Sequence, residues 1–364
     1  MKLFYLPLEP YVERYTYFMS SVGGWAEQVF TKKNINFERI DGEILGTRIN
    51  TGSVVDAFGR NYYAMTQISE MIKKIQEGRV TDGDIIYTED FWQCGIEALF
   101  YIRQLTGINF KIGCFLHAQS VDESDFTYQM KEWMRPIEQG YGRGYDYIFV
   151  TSEILRTLCI ENGIASEDKI FNVGLPYNSN RLLEQLKDIG FHPQEKEDYV
   201  IFSSRFDDEK DPMFFLDLVE RCKDIQFKLV KPRKVLTNNK QVQDRLNQVL
   251  KKQNNLEVID TSNKLDYYIA LSKAKVQFNC AIQDWVSWTL LEAVTFKCNP
   301  LYPIWKDFPI ELRNDDRFLY KRKDLDDCEK HLRRLIKQDF DENLSYIVEK
   351  HDNSWNKYLE IMGV

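Results

Sequence analysis

The stretch that decides the fold is Gln283-Asp284-Trp285-Val286-Ser287-Trp288-Thr289-Leu290-Leu291-Glu292-Ala293. It follows a short apolar run, 275–281, that is typical of a buried parallel strand, and it enters a helix near Ser287. Asp284 lies in the loop, and Glu292 lies eight residues later, in the helix. Two carboxylates beside a helix N-terminus suit a polar ligand that carries hydroxyls and phosphate. The alternative is that Asp284 caps the helix and Glu292 is an exposed helical acid.

The chain on both sides of this stretch alternates apolar strands with helices. Its 364 residues are more than a single domain of ~150 residues needs, so we expect two domains. The alternation predicts an α/β protein made of two Rossmann-like halves. The polar segment 187–198 is the best linker candidate. We therefore expect a first domain at 1–190, a second at 191–340 and a C-terminal helix at 341–364.

Composition excludes several classes of protein. A net charge of -8 argues against a surface that is basic overall. Seven scattered cysteines without a C-x-x-C pair indicate reduced thiols and a cytoplasmic location. The four histidines do not cluster, so we expect no metal site built from histidine. No apolar run approaches the ~18 residues of a membrane span, and we expect a monomer without integral membrane association.

A pair of cations follows the predicted strand 199–204. Arg205 and Lys210 lie between the end of that strand and the start of a helix. Cationic side chains at a helix N-terminus are well placed to bind a diphosphate. The alternative is an ordinary charged turn in contact with solvent.

Two other strand ends carry candidate ligand contacts. Gly23 and Gly24 separate the first strand from a helix, and glycine there lets backbone N–H groups approach a ligand closely. The alternative is a loop that needs a positive φ. His117 follows the predicted strand 110–116, and ligands of open α/β sheets bind at the carboxyl ends of strands. It is either a ligand contact or a buried structural histidine.

With these motifs the chain resembles the GT-B glycosyltransferases, most closely the retaining nucleotide-sugar enzymes grouped as family 4. Gly23-Gly24-Trp25-Ala26-Glu27-Gln28-Val29 is similar to the family's Gly-Gly-Ala-Glu-Arg-Val loop. The segment from Arg205 to Pro212 resembles its Arg…Lys-(Gly/Asp)-Pro motif, and Asp284 to Glu292 resembles its acid-x7-acid motif. The resemblance implies two Rossmann-like domains that face each other across a cleft. It also implies that a C-terminal helix crosses back to the first domain.

The resemblance assigns a role to each motif. Arg205 and Lys210 would hold the donor phosphates, Glu292 the ribose hydroxyls, and Asp284 would lie against the sugar. His117 would contact the sugar or orient the acceptor. The remaining donor-site positions are Gly23, Gly24, Trp285 and Ser287. The implied donor is a nucleotide diphosphate sugar, in particular a UDP-sugar, with no permanently bound cofactor and no metal. Asp284 departs from the family, which usually has Glu there.

Two short likenesses concern the acceptor. Leu6-Pro7-Leu8-Glu9-Pro10 resembles the opening of glycosyltransferase-like proteins of phages, and His117-Ala118-Gln119-Ser120-Val121 resembles a segment of the phage DNA α-glucosyltransferases. They imply a hydroxymethylated pyrimidine in double-stranded phage DNA as acceptor, and the host cytoplasm as location. DNA binding requires a local basic strip. Candidates for this strip are Arg14, Lys32, Lys33, Arg48, Arg60 and Arg143.

The predicted reaction is transfer of a hexosyl or pentosyl group to an acceptor hydroxyl with retention of configuration. An inverting enzyme would need a base, for which Glu9, Glu89 and Asp90 are candidates. One alternative is an enzyme that acts on a cell-envelope glycan or a lipid-linked acceptor. Another is an inactive GT-B module that binds a nucleotide or DNA.

Overall fold

The structure is a computed structural model that describes residues 1–9, 26–45, 58–117, 120–231, 236–261 and 263–363. The chain divides into two compact units. The first comprises Met1–Pro176 together with Ser354–Val364, and the second comprises Tyr177–Asn353. The divisions therefore lie at 176/177 and 353/354, whereas the sequence led us to expect 190/191 and 340/341.

The first unit is built on a parallel sheet. Its six described strands follow the order β2-β1-β3-β4-β5-β6. The strands are β1 (Lys2–Leu6), β2 (Asn36–Arg39), β3 (Ile85–Thr88), β4 (Lys111–Phe115), β5 (Tyr147–Val150) and β6 (Ile170–Asn172). The helices are α1, described over 26–32, α2 (Gly59–Gln76), α3 (Ile96–Thr106), α4 (Lys131–Gly144), α5 (Glu153–Glu161) and, from the end of the chain, α14 (Ser354–Ile361).

The second unit repeats this architecture. Its six described strands are also parallel and follow the order β12-β11-β10-β7-β8-β9. The strands are β7 (Glu197–Phe202), β8 (Gln226–Lys231), β9 (Leu256–Asp260), β10 (Ala274–Phe278), β11 (Asn299–Pro303) and β12 (Leu319–Tyr320). The helices are α6 (Ser179–Asp188), α7 (Pro212–Arg221), α8 (Lys240–Lys252), α9 (Lys264–Lys273), α10 (Trp288–Thr295), α11 (Phe308–Glu311), α12 (Leu325–Leu335) and α13 (Ser345–Asp352).

Local sequence explains why these elements form. In β7 the run from Tyr199 to Phe202 is buried throughout, as expected of a parallel strand that is covered on both faces. Side chains of Asn239, Asn263 and Asp324 accept main-chain N–H groups at the starts of α8, α9 and α12. Such caps satisfy donors that the first helical turn cannot pair, so the helices begin where the sequence supplies them.

The strand order reverses at one point in each sheet. The reversal lies between β1 and β3 in the first sheet and between β7 and β10 in the second. The connections leave the sheet in opposite directions at such a switch point, and the resulting crevice is where open α/β sheets bind ligands. The residues that follow these four strands are therefore the first candidates for a site.

The C-terminal segment contains two helices where the sequence indicated one. α13 stays in the second unit, and α14 packs in the first. The main-chain N–H of Asn353 bonds to the carbonyl of His351, which ends α13. In α14 the Tyr358 ring lies 4.2 Å from the Phe149 ring. The break lies in the polar run from Glu349 to Ser354, which contains no glycine or proline, so no helix-breaking residue marked it in the sequence.

Two glycines of α4 provide a matched test of packing in the first unit. A Cβ at Gly142 would lie 1.6 Å from the carbonyl oxygen of Ile164, whereas a Cβ at Gly140 would meet no atom within 4 Å. We expect Gly142→Ala to destabilise the protein by about 1–3 kcal/mol because backbone must move. Gly140→Ala should stabilise it by about 0.5–1 kcal/mol, since alanine favours helix. Urea unfolding measures both, and equal effects would contradict the packing.

Candidate functional site

Lys210 and Asp284 are held together at the switch point of the second sheet. Lys210 ends a single 3-10 turn after β7, and Asp284 lies in the loop after β10. The Nζ of Lys210 lies 2.6 Å from the Oδ1 of Asp284 and donates to the carbonyl of Gln283 at 3.3 Å. The Lys210 side chain is 9% exposed and that of Asp284 is 21% exposed. The pair therefore places a cation and a carboxylate where the fold favours a ligand.

Arg205 is the second cation of this edge. One of its Nη groups donates to the carboxylate of Glu209 at 2.5 Å, and the side chain remains 36% exposed. The carbonyl oxygen of Glu209 accepts the N–H of Ile282 at 2.8 Å. The turn that carries the cations is thus fastened to the loop that carries Asp284. The structure brings the two sequence motifs into one site.

The N-terminus of α10 completes this edge. Ser287 is the N-cap, but its side chain makes no capping hydrogen bond. Its Oγ lies 2.8 Å from the Oγ1 of Thr289, which lies 3.1 Å from the hydroxyl of Tyr302. The first-turn N–H groups of α10 therefore have no side-chain cap and are suited to an anion. Trp285, in the preceding loop, lies beneath the ammonium of Lys306 at 4.3 Å.

Glu292 lies deeper, where it is only 3% exposed. Its carboxylate accepts hydrogen bonds from the hydroxyls of Tyr267 at 2.6 Å and Tyr268 at 3.0 Å. Burial raises the pKa of Glu292, and the nearby Lys264 and the two hydroxyls oppose that rise. These hydrogen bonds go to α9 and not to the Lys210–Asp284 pair. A ribose hydroxyl that binds Glu292 must replace a tyrosine hydroxyl or share an oxygen with it.

The simpler interpretation of the two acids is wrong. Asp284 does not cap α10, because Ser287 occupies the N-cap position. Glu292 is buried and is not an exposed helical acid. Both carboxylates are paired with donors, as buried acids require.

At the switch point of the first sheet, Arg60 lies between two acids. Its Nε is 3.4 Å from Glu9, and one of its Nη groups is 3.1 Å from Asp90. Arg60 is 6% exposed and Glu9 is fully buried. The prediction that Arg60 belongs to a DNA-binding strip is therefore wrong, because this guanidinium neutralises buried carboxylates. The three side chains instead form a polar cluster beneath the carboxyl ends of β1 and β3.

His117 lies beside that cluster at the end of β4. Its Nε2 is 2.7 Å from the carbonyl oxygen of Glu89, and its ring lies 4.5 Å from that of Phe115. Burial lowers its pKa, while Asp90 opposes the shift. A carbonyl only accepts, so the neutral ring carries its proton on Nε2.

The remaining predicted positions divide into two groups. Gly23 and Gly24 lie outside the described residues, as do Arg14 and Arg48 of the proposed strip. Lys32, Lys33 and Arg143 are exposed.

The sequence alone did not identify the side chains that form hydrogen bonds or ion pairs with the predicted site residues Arg205 and Glu292. Glu209 lies four residues after Arg205, a spacing at which helical ion pairs form, and this was a usable signal. Tyr267 and Tyr268 lie 25 and 24 residues before Glu292, and no sequence pattern links such distant positions.

Glu89, at the end of β3, supports a prediction about pH. It is 1% exposed. One carboxylate oxygen accepts the N–H of Leu8 at 2.8 Å, and the other has no hydrogen-bond partner among the described residues. Burial raises its pKa well above the ordinary 4.5. The folded protein then keeps a proton that the unfolded chain loses. This contribution to stability is complete below the unfolded pKa and declines as the pH rises toward the folded pKa.

Glu89→Gln keeps the acceptor for Leu8 but carries no charge. We expect the variant to gain stability relative to the wild type as the pH rises above 4.5. Urea unfolding across a pH series measures the difference. The same pH dependence in both proteins would rule out this role for Glu89.

No family model and no curated protein matches the sequence. Solved structures do match. Sucrose-phosphate synthase from Thermosynechococcus elongatus has a TM-score of 0.65 at 11% identity, over 100% of this chain and 96% of that chain. The UDP-forming trehalose-phosphate synthase from Burkholderia xenovorans has a TM-score of 0.66 at 12% identity, over 100% and 99%. TarM from S. aureus, in complex with UDP, has a TM-score of 0.57 at 11% identity, over 82% and 59%.

The chain has the GT-B fold. The full-length matches confirm the predicted α/β class with two parallel sheets. In GT-B terms, Arg205, Lys210 and Asp284 lie at the switch point of the C-terminal sheet. No described helix is both long and apolar enough to cross a bilayer. Nor do the described residues contain a group of three or more His, Cys, Asp or Glu side chains able to hold a metal ion.

Proposed function

We propose that this protein is a glycosyltransferase that moves a sugar from a UDP-sugar to an acceptor hydroxyl. The observation that carries the proposal is the Lys210–Asp284 pair at the switch point of the second sheet, in a chain with the GT-B fold. The matches to a sucrose-phosphate synthase and a UDP-forming trehalose-phosphate synthase support it, as does the UDP in the TarM complex. The likeness of the two motifs to retaining family-4 enzymes supports it further.

The proposed chemistry centres on the leaving group. When the bond between the sugar and the β-phosphate breaks, the electron pair moves to the phosphate oxygen. Arg205, Lys210 and the N–H groups at the start of α10 stabilise that charge electrostatically. Phosphate binding draws Lys210 away from Asp284, and the Asp284 carboxylate then accepts hydrogen bonds from sugar hydroxyls. Glu292 holds the ribose once a tyrosine hydroxyl has made room for it.

We propose transfer with retention of configuration. The acceptor oxygen attacks from the face that the phosphate leaves, and its proton passes to the departing phosphate oxygen. This route needs no protein base. The candidate bases Glu9 and Asp90 both pair with Arg60, so each carboxylate is already engaged by a cation.

The proposed acceptor is a hydroxymethylated pyrimidine in phage DNA, on the first unit and in the host cytoplasm. The short likenesses to phage enzymes support it. In the first unit Trp92 and Trp133 form an edge-to-face pair 6.4 Å apart, and Trp133 is 53% exposed. Exposed aromatic rings provide a surface on which an unstacked base can lie.

A donor and acceptor panel tests the proposal. The purified protein is incubated with UDP-sugars and with hydroxymethylated or unmodified DNA, and nucleosides and UDP are analysed by mass spectrometry. We expect sugar on hydroxymethylated DNA only. Release of UDP without glycosylated DNA would support the proposed glycosyltransferase activity but not the DNA acceptor. A glycan or a lipid-linked molecule would then be the proposed acceptor. If no UDP-sugar is bound or cleaved, the protein is an inactive module and the proposal fails.

A further inference from the structure

Two cations lie over tryptophan rings at the ends of β11 and β12. The Nζ of Lys306, after β11, is 4.3 Å from the centre of the Trp285 ring. The guanidinium carbon of Arg322, after β12, is 3.9 Å from the centre of the Trp305 ring. Carboxyl ends of parallel strands share one edge of a sheet, so both pairs lie at the edge that carries the proposed donor site.

Trp305 connects Arg322 to the donor loop. Its indole N–H donates to the carbonyl of Ile282 at 2.7 Å. Ile282 in turn donates its own N–H to the carbonyl of Glu209, in the turn that carries Lys210. The position of Arg322 is therefore fixed relative to the donor loop by a rigid aromatic ring.

The acids near Arg322 are engaged elsewhere. Asp211 pairs with Lys323, and Asp324 caps α12 by accepting the N–H of Asp327 at 3.0 Å. Arg322 itself is partly exposed and forms no ion pair with any residue that the structure describes. A guanidinium that stacks on an indole keeps its N–H edges available, and those edges match a phosphate in a two-point contact.

Strand order indicates which part of the reaction this surface serves. Lys210 follows β7 and Asp284 follows β10, which places the donor phosphates and sugar at the centre of the edge. The tyrosines that hold Glu292 belong to α9, which follows β9 at the far end of the sheet. The ends of β11 and β12 lie on the other side of β10. A ligand there would lie beyond the sugar of the donor.

We propose that Arg322 and Lys306 form a phosphate-binding subsite for the acceptor, distinct from the donor phosphate site at Arg205 and Lys210. The inference rests on the proposed function, because it assigns to the acceptor the surface beyond the sugar. The ligand is a phosphate ester. A phosphodiester of DNA and a phosphomonoester on a sugar present the same oxygens to a guanidinium, and the test separates these two sources.

Binding of a short DNA duplex and of a hexose 6-phosphate is measured with saturating UDP, so that Arg205 and Lys210 are occupied. We expect Arg322→Gln to weaken binding of the phosphate ester about tenfold, the effect of losing a charge-assisted contact. UDP affinity should stay unchanged. With the duplex, the slope of log affinity against log salt should become less steep by about 0.9. Lys306→Gln should act in the same direction.

The matched control is Arg313→Gln. Arg313 also stacks on an aromatic ring, that of Tyr346 at 3.6 Å, but it precedes β12 and so lies away from this edge. We expect no change in binding. Duplex binding alone would identify a phosphodiester and hexose phosphate binding alone a phosphomonoester, and each supports the subsite. Equal affinity of wild type and Arg322→Gln, or failure of both probes to bind the wild type, would overturn it.

The proposed function can fail separately from the subsite. Both probes are also measured without UDP in a Lys210→Gln background. If the wild type binds no UDP but a probe still depends on Arg322, the glycosyltransferase proposal is lost and the phosphate subsite stands.

Discussion

Replacing Lys210 with glutamine is expected to slow sugar transfer by about 100- to 1000-fold, the loss typical of removing one preorganised group that stabilises developing charge. The side chain of Lys210 is mostly buried. In the glutamine variant, little water can therefore take the place of the ammonium and stabilise the departing diphosphate. The reduction should appear in kcat, because the charge is greatest in the transition state. Single-turnover transfer from a UDP-sugar, or hydrolysis of the donor in the absence of acceptor, measures it.

The matched control for this variant lies on β10, the strand that pairs with β7. Lys275, near the start of β10, pairs with Asp198 at 2.7 Å, away from the carboxyl edge. Lys275→Gln removes the same charge and the same kind of ion pair. Its transfer rate should match that of the wild type. Undiminished transfer by Lys210→Gln would refute the phosphate assignment, and a comparable loss in both variants would show that the effect comes from the fold.

Trp355→Ala is expected to destabilise the first unit by about 3–5 kcal/mol, the range for truncating a large buried ring. Trp355 is 3% exposed. Its ring lies 6.0 Å from that of Phe30, 6.2 Å from that of Tyr87 and 4.6 Å from that of Tyr358. The change opens a cavity beneath α14. Hydrogen exchange followed by peptide should show lost protection in the first unit, with the second unit protected as before.

Trp133→Ala is the control for size and chemistry. Trp133 belongs to the same unit but is 53% exposed, so its removal leaves no closed cavity. We expect a change of no more than about 0.5 kcal/mol, typical of surface positions. If the two tryptophan variants lost stability equally, α14 would not be part of the core of the first unit.

Local signals in the sequence were sufficient for the fold class and for part of the site. The buried runs of β7 and β10 indicated parallel strands, and the charged residues just after them were the ones that the fold brings together, Lys210 and Asp284. This worked because residues at strand ends are positioned by the strands themselves. The side chain that a residue pairs with cannot be predicted in this way, because it depends on packing between segments that are distant in sequence.

Three features illustrate that limit. Arg60 was expected on the surface, but it neutralises Glu9, a residue in a different element that no spacing rule connects to it. The tyrosines around Glu292 come from another helix. The unit boundary lies before α6, because the N–H of Ser179 donates to Asp352 of α13 at 2.8 Å. These two residues are 173 positions apart in the sequence.

The return of α14 to the first unit has a consequence for biosynthesis. Residues 177–353 leave the ribosome between the first sheet and the helix that covers it. At roughly 5–20 residues per second, that interval lasts on the order of ten to forty seconds. During it the aromatic face formed by Tyr87 and Phe149 lacks its cover, whereas the second unit has all of its chain before α14 is made. The nascent first unit is thus the part of the molecule that most needs chaperones to protect it during synthesis.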